Sequence, residues 1–178
     1  MTGIFEDVAS ILDSLGVVYA LIGGRAVVLR GYRRVTFDYD FFTADRRVLD
    51  RSIWQRLEDK GAHVDARKGD QFDPVAGVVH ITMPDGEDAD VVLAKWKWEL
   101  GVLARAEPLS LRGLRVPVPI TSDLILLKLA AGGSRDLHDI QELLARNDPA
   151  AIIPEVEAHI GEVHPDVRQT WKDLLASR

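Results

Sequence analysis

Two aspartates, two residues apart, interrupt an apolar segment that otherwise has the composition of a buried strand. Asp38 and Asp40 alternate with Phe37, Tyr39 and Phe41 in the stretch TFDYDFF. In a strand, side chains at i and i+2 share a face, with α-carbons about 6.5 to 7 Å apart. The alternation therefore predicts both carboxylates on one face and the three rings on the other, in the core. Carboxylates this close repel each other unless a cation neutralises them or both are solvated on an exposed strand.

A third carboxylate and a pair of glycines extend this pattern. Asp90 lies in the apolar segment DADVVLA, where Asp88 shares its face, so a solvated strand end is the alternative explanation. Gly23 and Gly24 follow an apolar segment and precede a helical one. Such a turn exposes backbone N–H groups to phosphate, although a plain tight turn uses the same residues. Three carboxylates beside a glycine turn suit phosphoryl transfer with two Mg²⁺ ions, in which one carboxylate accepts the proton of the nucleophile.

The composition is that of a globular protein with an acidic balance. The chain has 178 residues, of which 47% are hydrophobic and 28% charged, and its formal net charge is −6. This charge argues against a general nucleic-acid coat, because such proteins neutralise many phosphates with a basic surface. The absence of cysteine excludes disulfides and thiolate metal sites and is compatible with a cytoplasmic location. We expect neither a transmembrane helix nor a secretory signal, since no long apolar run or basic-then-apolar start is present.

Hydrophobic periodicity predicts an α/β (α+β) fold, with a mixed β-sheet core flanked by helices and a helical part at the C-terminus. The predicted strands of the core are residues 17–22, 36–42, 62–66, 75–83 and 89–94. The turn PDGED joins the last two as an antiparallel hairpin. The main predicted helices are residues 4–15, 25–31, 45–60, 121–131 and 135–146, with two more within 149–178. We place a boundary near residue 119, between an α/β core (residues 1–118) and a C-terminal helical region (residues 119–178).

These motifs resemble the signature of the nucleotidyltransferase superfamily related to polymerase beta: Gly23-Gly24, thirteen intervening residues, Asp38-Tyr39-Asp40, and Asp90 in a later strand. Within that superfamily, GGRA, RVTFDYDFF and LLKLAAGGSRDLHDIQELL resemble the AbiEii-type nucleotidyltransferases. Many members of that group are toxins of toxin–antitoxin systems. The resemblance covers roughly residues 15–146 and implies that residues 1–118 form the nucleotidyltransferase core.

The resemblance also implies roles for individual residues. The catalytic and metal-binding carboxylates would be Asp38, Asp40 and Asp90, with Asp90 activating the acceptor hydroxyl. The nucleotide-binding residues would be Gly23, Gly24, Arg34, Thr36, Lys128, Asp136 and Asp139. Lys128 would meet the triphosphate, whereas Asp136 and Asp139 are the acidic positions of the helical motif. A plain structural explanation also holds for Asp136, because carboxylates are favoured in the first turn of a helix.

The implied reaction is Mg²⁺-dependent transfer of a nucleoside monophosphate from an NTP to a hydroxyl group, with release of pyrophosphate. An RNA end such as that of tRNA would be the acceptor, and an antitoxin protein would be a partner. One alternative is a small-molecule enzyme of the aminoglycoside or lincosamide type, which the acidic charge fits better. Another is a non-catalytic nucleotide-binding module. The five histidines have no metal-ligand spacing, and we interpret each, including His80, as an incidental surface residue.

Overall fold

Five strands form one mixed sheet in residues 3–177 of the computed structural model, the part of the chain that the structure describes. The strands are β1 (Tyr19–Ile22), β2 (Tyr39–Thr43), β3 (His63–Lys68), β4 (Gly77–Thr82) and β5 (Asp88–Leu93). Their order is β1-β2-β5-β4-β3, and β2 and β5 are parallel whereas the other neighbours are antiparallel. The predicted α/β class with a mixed sheet is confirmed. Residues 1, 2 and 178, at the ends of the two predicted regions, lie outside the described residues.

Helices precede, interrupt and follow the strands. They are α1 (Ile4–Ser14), α2 (Gly23–Leu29), α3 (Gln55–Glu58), α4 (Glu99–Ala104), α5 (Thr121–Ala131), α6 (Ser134–Arg146), α7 (Pro149–His159) and α8 (Pro165–Ala176). Between α4 and α5, a separate hairpin is formed by β6 (Glu107–Leu111) and β7 (Leu114–Val118). The helical C-terminal part agrees with the sequence pattern, while its division from the core at residue 119 stays a prediction. No helix within residues 3–177 combines the length and the apolar character that crossing a membrane requires.

The two faces of the sheet differ in what covers them. In β5, Ala89, Val91 and Leu93 are buried, while Asp88, Asp90 and Val92 alternate with them and are half-buried. The buried face packs on α1, where the ring of Phe5 stacks on Tyr39 and Phe41 at centroid distances of 5.3 and 5.9 Å. Burying a phenylalanine side chain contributes about 1.5–3 kcal/mol, so this stack anchors β2 in the sheet. The opposite face is covered only in part.

A small apolar cluster covers one end of that opposite face. Ala20 of β1 and Phe42 of β2 are buried there against Leu103 of α4. Beyond this cluster, towards β4 and β3, the same face carries polar side chains and is half exposed. We call this uncovered part the open face.

The prediction that a strand spans residues 36–42 with three buried rings was wrong at its start. Strand β2 begins at Tyr39, and Phe37 is 78% exposed rather than in the core. The strand starts late because β1 offers no residues for an earlier start to pair with. The last pair of β1 and β2 is Ile22 with Asp40, and the chain then continues into α2. Residues 36–38 therefore have no strand to pair with on that side. Tyr39 and Phe41 are buried as expected.

The predicted helix over residues 45–60 was also wrong in its first part. The chain instead forms two 3₁₀ turns, Arg46–Leu49 and Arg51–Trp54, before the short α3. Asp45 and Asp50 are in extended conformation, and the side chain of each accepts a hydrogen bond from the backbone N–H two residues later. Aspartates that bond to their own backbone in this way compete with helix formation. This segment packs on the buried face, away from the open face.

Candidate active site

One row of side chains crosses the sheet from edge to edge. The strand register aligns one residue from each strand, in the order Ile22, Asp40, Asp90, His80 and Asp65. Directly opposed residues in neighbouring strands project to the same face, with Cβ atoms about 4.5–5.5 Å apart. The register therefore brings Asp40 and Asp90, fifty positions apart in the sequence, side by side on the open face. Asp38 lies just before β2, at an exposed position.

The electrostatics of Asp40 show that the three carboxylates act on one another. Burial and, after it, the negative charges of Asp90 and Asp38 raise the pKa of Asp40 from 3.8 to about 6. The positive charges of Lys128 and Arg34 oppose the rise. The folded protein thus holds Asp40 where its ionised form is costly, and a bound cation would remove that cost.

The donor chemistry of this cluster fits Mg²⁺. Within residues 3–177, no group of three or more Asp, Glu, His or Cys side chains could by itself hold a metal ion, so Asp38, Asp40 and Asp90 do not form a ready-made cage for one. Mg²⁺ does not need such a cage, because it keeps several waters and binds through one or two carboxylates together with substrate phosphates. Asp40 and Asp90, paired in register and mutually repelling, are the carboxylates that would hold such an ion.

The glycine pair lies directly against this cluster. Gly23 has a φ of +62°, and a Cβ atom at this position would lie 1.8 Å from Oδ2 of Asp40. A Cβ atom on Gly24 would lie 2.5 Å from Oγ1 of Thr36 and 2.8 Å from Nη2 of Arg34. Only glycine lets the backbone approach these side chains so closely, and only glycine adopts the φ of residue 23 without strain. The structure thus brings Gly23, Gly24, Arg34 and Thr36 together beside Asp40.

Lys128, the predicted triphosphate contact, and Arg34, another predicted nucleotide-binding residue, belong to one buried ion cluster. Nζ of Lys128 lies 2.8 Å from Oδ1 of Asp136 and 2.7 Å from Oδ2 of Asp139. Nη2 of Arg34 donates to Oδ2 of Asp139 at 3.1 Å. Asp139 is fully buried and Lys128 is only 5% exposed. The cluster joins α5 and α6 to residues 33–38, and it keeps both cations close enough to Asp40 to influence its pKa.

The acidic residues of the helical motif therefore bind side chains of this chain. Asp136 also accepts the backbone N–H of Gly133 at 3.2 Å, as expected for a carboxylate in the first turn of α6. Helical spacing alone would pair Asp139 with Arg135, four residues earlier, but Asp139 turns inward to Arg34 and Lys128 while Arg135 is exposed.

His80 is the site residue that sequence reasoning missed. Its Nδ1 lies 2.6 Å from Oδ1 of Asp90 and its Nε2 lies 3.2 Å from Oγ1 of Thr82. The hydrogen bond with Asp90 raises the pKa of His80. We expected an incidental surface residue, and the ring is indeed exposed, but it contacts a carboxylate of the cluster. The predicted β4–β5 hairpin could have revealed this contact, because residues opposed in the two strands project to the same face, as His80 and Asp90 do.

A shallow cavity adjoins Asp90 on the side away from Asp40. Its volume is about 270 Å³, and its lining residues are Asp65, Arg67, Val78, His80 and Asp90. Asp65 and Arg67 form an ion pair at its rim. A small polar molecule in this cavity would lie next to Asp90, while the glycine turn lies on the other side of the carboxylates.

Comparison with known proteins adds the fold relationship. The sequence matches no protein-family model and no curated protein. Among solved structures, ANT(2'')-Ia in complex with adenylyl-2''-tobramycin has a TM-score of 0.59 at 15% identity, covering 89% of this chain and 95% of that one. The lincosamide antibiotic adenylyltransferase LnuA, lincomycin-bound, has a TM-score of 0.52 at 14% identity, with 80% and 96% covered. For the Megavirus polyadenylate synthase the TM-score is 0.52 at 13% identity, with 79% of this chain and 30% of that chain covered.

At these identities the likeness establishes the fold and nothing finer. The AbiEii-type resemblance stays a prediction, because it depends on sequence motifs that these structures do not test. The five-stranded mixed sheet with its flanking helices is the fold that this chain shares with these three proteins.

Proposed function

We propose that this protein is an Mg²⁺-dependent nucleotidyltransferase, which transfers a nucleoside monophosphate from an NTP to a hydroxyl group and releases pyrophosphate. The observation that carries the proposal is the register pair of Asp40 and Asp90 on the open face, with the Gly23 backbone against Asp40. The fold shared with nucleotidyltransferases supports the same reaction class.

The carboxylates would divide the chemistry between them. Asp38, Asp40 and Asp90 would hold one or two Mg²⁺ ions, which, when bound, neutralise charge on the phosphates. Asp90 lies beside the cavity and accepts the proton of the acceptor hydroxyl. The resulting oxygen attacks the α-phosphorus, the new P–O bond forms, and the bond to the leaving pyrophosphate breaks with its electron pair. Catalysis of this kind consists mainly of positioning and charge stabilisation.

The nucleotide would bind over the glycine turn. Gly23 and Gly24 carry no side chain, so phosphates would approach their backbone N–H groups, while Asp40, Thr36 and Arg34 fill the space in which a Cβ atom would lie. Arg34 and Lys128 supply positive charge to that side of the cluster. Because Asp139 binds both cations from the buried side, it fixes where their charge lies.

We favour a small hydroxylated molecule as the acceptor. The cavity next to Asp90 has the volume of a small-molecule subsite, and a net charge of −6 disfavours a large RNA surface. The similar structures contain adenylyl-2''-tobramycin and lincomycin, which are small hydroxylated molecules of that chemical kind. The RNA or tRNA end, the toxin role and the antitoxin partner rest on the AbiEii-type resemblance alone.

The experiment is transfer of label from α-³²P-NTPs, each of the four in turn, to a panel of acceptors with MgCl₂. The panel contains aminoglycosides, lincosamides and total RNA, so that the labelled product identifies the acceptor class. Asp38→Ala should abolish transfer with little loss of fold, whereas Asp59→Asn, at an exposed position in α3's C-cap, should leave it unchanged. Unchanged transfer in Asp38→Ala would refute the site. Calorimetry that shows binding of NTP with Mg²⁺ but no turnover would favour the non-catalytic module.

A further inference from the structure

Asp90 has two neighbours of opposite effect in the row that crosses the sheet. On the β2 side lies Asp40, a carboxylate that repels it; on the β4 side lies His80, which binds it. A carboxylate only accepts hydrogen bonds, so Nδ1 of His80 must carry the hydrogen of the 2.6 Å contact with Oδ1. The hydrogen bond therefore holds the Asp90 side chain in place against the repulsion from Asp40.

The imidazole ring of His80 is itself held at its other nitrogen. Oγ1 of Thr82, the next outward-facing residue of β4, lies 3.2 Å from Nε2. A hydroxyl can donate to that nitrogen, and the pair of bonds fixes both the tautomer and the orientation of the ring. Among residues 3–177, no hydrogen bond reaches Oδ2, the second oxygen of Asp90.

The exposure of the pair argues against a purely structural bond. The side chains of His80 and Asp90 are 46% and 36% exposed, so neither needs a partner to satisfy a buried polar group. His63, on β3 opposite Thr82, provides the contrast: it is exposed on the same face but has no hydrogen bond to a carboxylate of the cluster in the described residues.

We propose that His80 is a positioning residue for Asp90, a role that rests on the proposed function. By occupying Oδ1, His80 would leave Oδ2 as the oxygen available to a cation and to the acceptor hydroxyl, and it would stop Asp90 from rotating away from Asp40. Partners of this kind orient metal-binding carboxylates in many sites, and their loss typically costs about 10–100-fold in metal affinity or activity.

Two matched substitutions of His80 distinguish the effect of the Nδ1 hydrogen bond from the effect of losing the imidazole ring. In His80→Asn, the amide nitrogen occupies the place of Nδ1 and can still donate to Asp90. In His80→Gln, the amide nitrogen occupies the place of Nε2, so the bond to Asp90 is lost while a polar side chain of similar size remains. His63→Gln is the control on the same face, and circular dichroism checks that each variant is folded.

We expect His80→Asn to keep kcat within about threefold of the natural protein and His80→Gln to lose about 10–100-fold. The KM for NTP should not change, because the proposed nucleotide contacts lie on the other side of Asp40. Equal kcat in the two variants, whether both high or both low, would overturn the positioning role, since the Nδ1 bond would then not be what matters.

A second measurement keeps this inference apart from the proposed reaction. If the natural protein transfers no nucleotide to any acceptor, the proposed function fails. Titration with Mn²⁺ alone, followed by calorimetry, still tests His80: equal affinity in the natural protein and His80→Asn, with weaker binding in His80→Gln, supports the positioning role. The same affinity in all three proteins would overturn it.

Discussion

Replacing Asp40 with asparagine should make the metal-free protein more stable. Burial and the charges of Asp90 and Asp38 raise the pKa of Asp40 to about 6. A carboxyl group whose pKa is raised on folding stabilises the folded state while it is protonated, below its unfolded pKa of 3.8, and that contribution is lost as the pH rises through about 6. Asparagine has nearly the same shape as the protonated form and never ionises, so the stability of the variant does not fall as the pH rises through about 6.

The expected gain follows from the size of the pKa change. Each pKa unit corresponds to about 1.36 kcal/mol, so the rise from 3.8 to about 6 amounts to at most about 3 kcal/mol. Above pH 7 the free energy of unfolding of Asp40→Asn should therefore exceed that of the natural protein by up to about 3 kcal/mol. The difference should shrink between pH 6 and pH 4 and be close to zero below that range.

Urea unfolding in EDTA, at half-unit steps from pH 4 to pH 8, measures this difference. Asp59→Asn removes an exposed carboxylate away from the site and should change stability by less than about 0.5 kcal/mol at every pH. If Asp40→Asn were less stable than the natural protein at pH 8, or if its advantage did not depend on pH, the electrostatic account of the carboxylate cluster would be refuted.

Three further predictions concern the glycine turn, the ion cluster and the cation. Gly23→Ala should destabilise the protein by more than Gly16→Ala, because only the Cβ atom added at residue 23 collides with Asp40. Gly16 has a similar φ of +64° and no atom within 4 Å of the added Cβ, so in urea unfolding it reports the backbone strain of about 1–2 kcal/mol alone. Equal losses of stability in the two variants would contradict the packing of Gly23 on Asp40. Asp139→Asn should cost about 3–5 kcal/mol, as expected when a buried ion pair loses one partner, whereas Glu142→Gln, in an exposed i,i+4 pair, should cost about 0.5 kcal/mol or less in the same assay. Mg²⁺ with NTP at a hundredfold excess over Kd should raise the free energy of unfolding of the natural protein by about 2.7 kcal/mol, seen as a higher melting temperature, and should leave Asp40→Asn unchanged. An equal rise in both would place the ion elsewhere.

Most elements of the fold followed from local patterns, and each error has an identifiable physical cause. The β4–β5 hairpin was predictable because an Asp-Gly turn separates two apolar runs. The start of β2 was not, because its first paired residue depends on where β1 ends in space, and alternation alone extends the strand through Phe37. The interrupted helix after residue 45 depends on two aspartates whose side chains bond to their own backbone, a competition that periodicity does not reveal.

For the site, the sequence revealed the spacing of residues within one strand, but it did not reveal which residues pair between strands. The sequence indicated that Asp38, Asp40 and Asp90 are unusual, and a resemblance connected them. Only the register shows that Asp40 and Asp90 are direct neighbours and that His80 lies on the far side of Asp90. The inward turn of Asp139 to Arg34 and Lys128 likewise depends on how α6 packs, since its helical spacing favoured the exposed Arg135.

The most direct test of the account is the fate of the phosphates of one NTP in the natural protein and in Asp90→Asn. With the acceptor found in the panel and with MgCl₂, label at the α-phosphate should enter the acceptor and label at the γ-phosphate should appear as pyrophosphate in equal amount. Asp90→Asn should lose both together while it still folds. Release of the γ-label as inorganic phosphate, or transfer of the α-label that survives in Asp90→Asn, would contradict nucleotidyl transfer at this cluster.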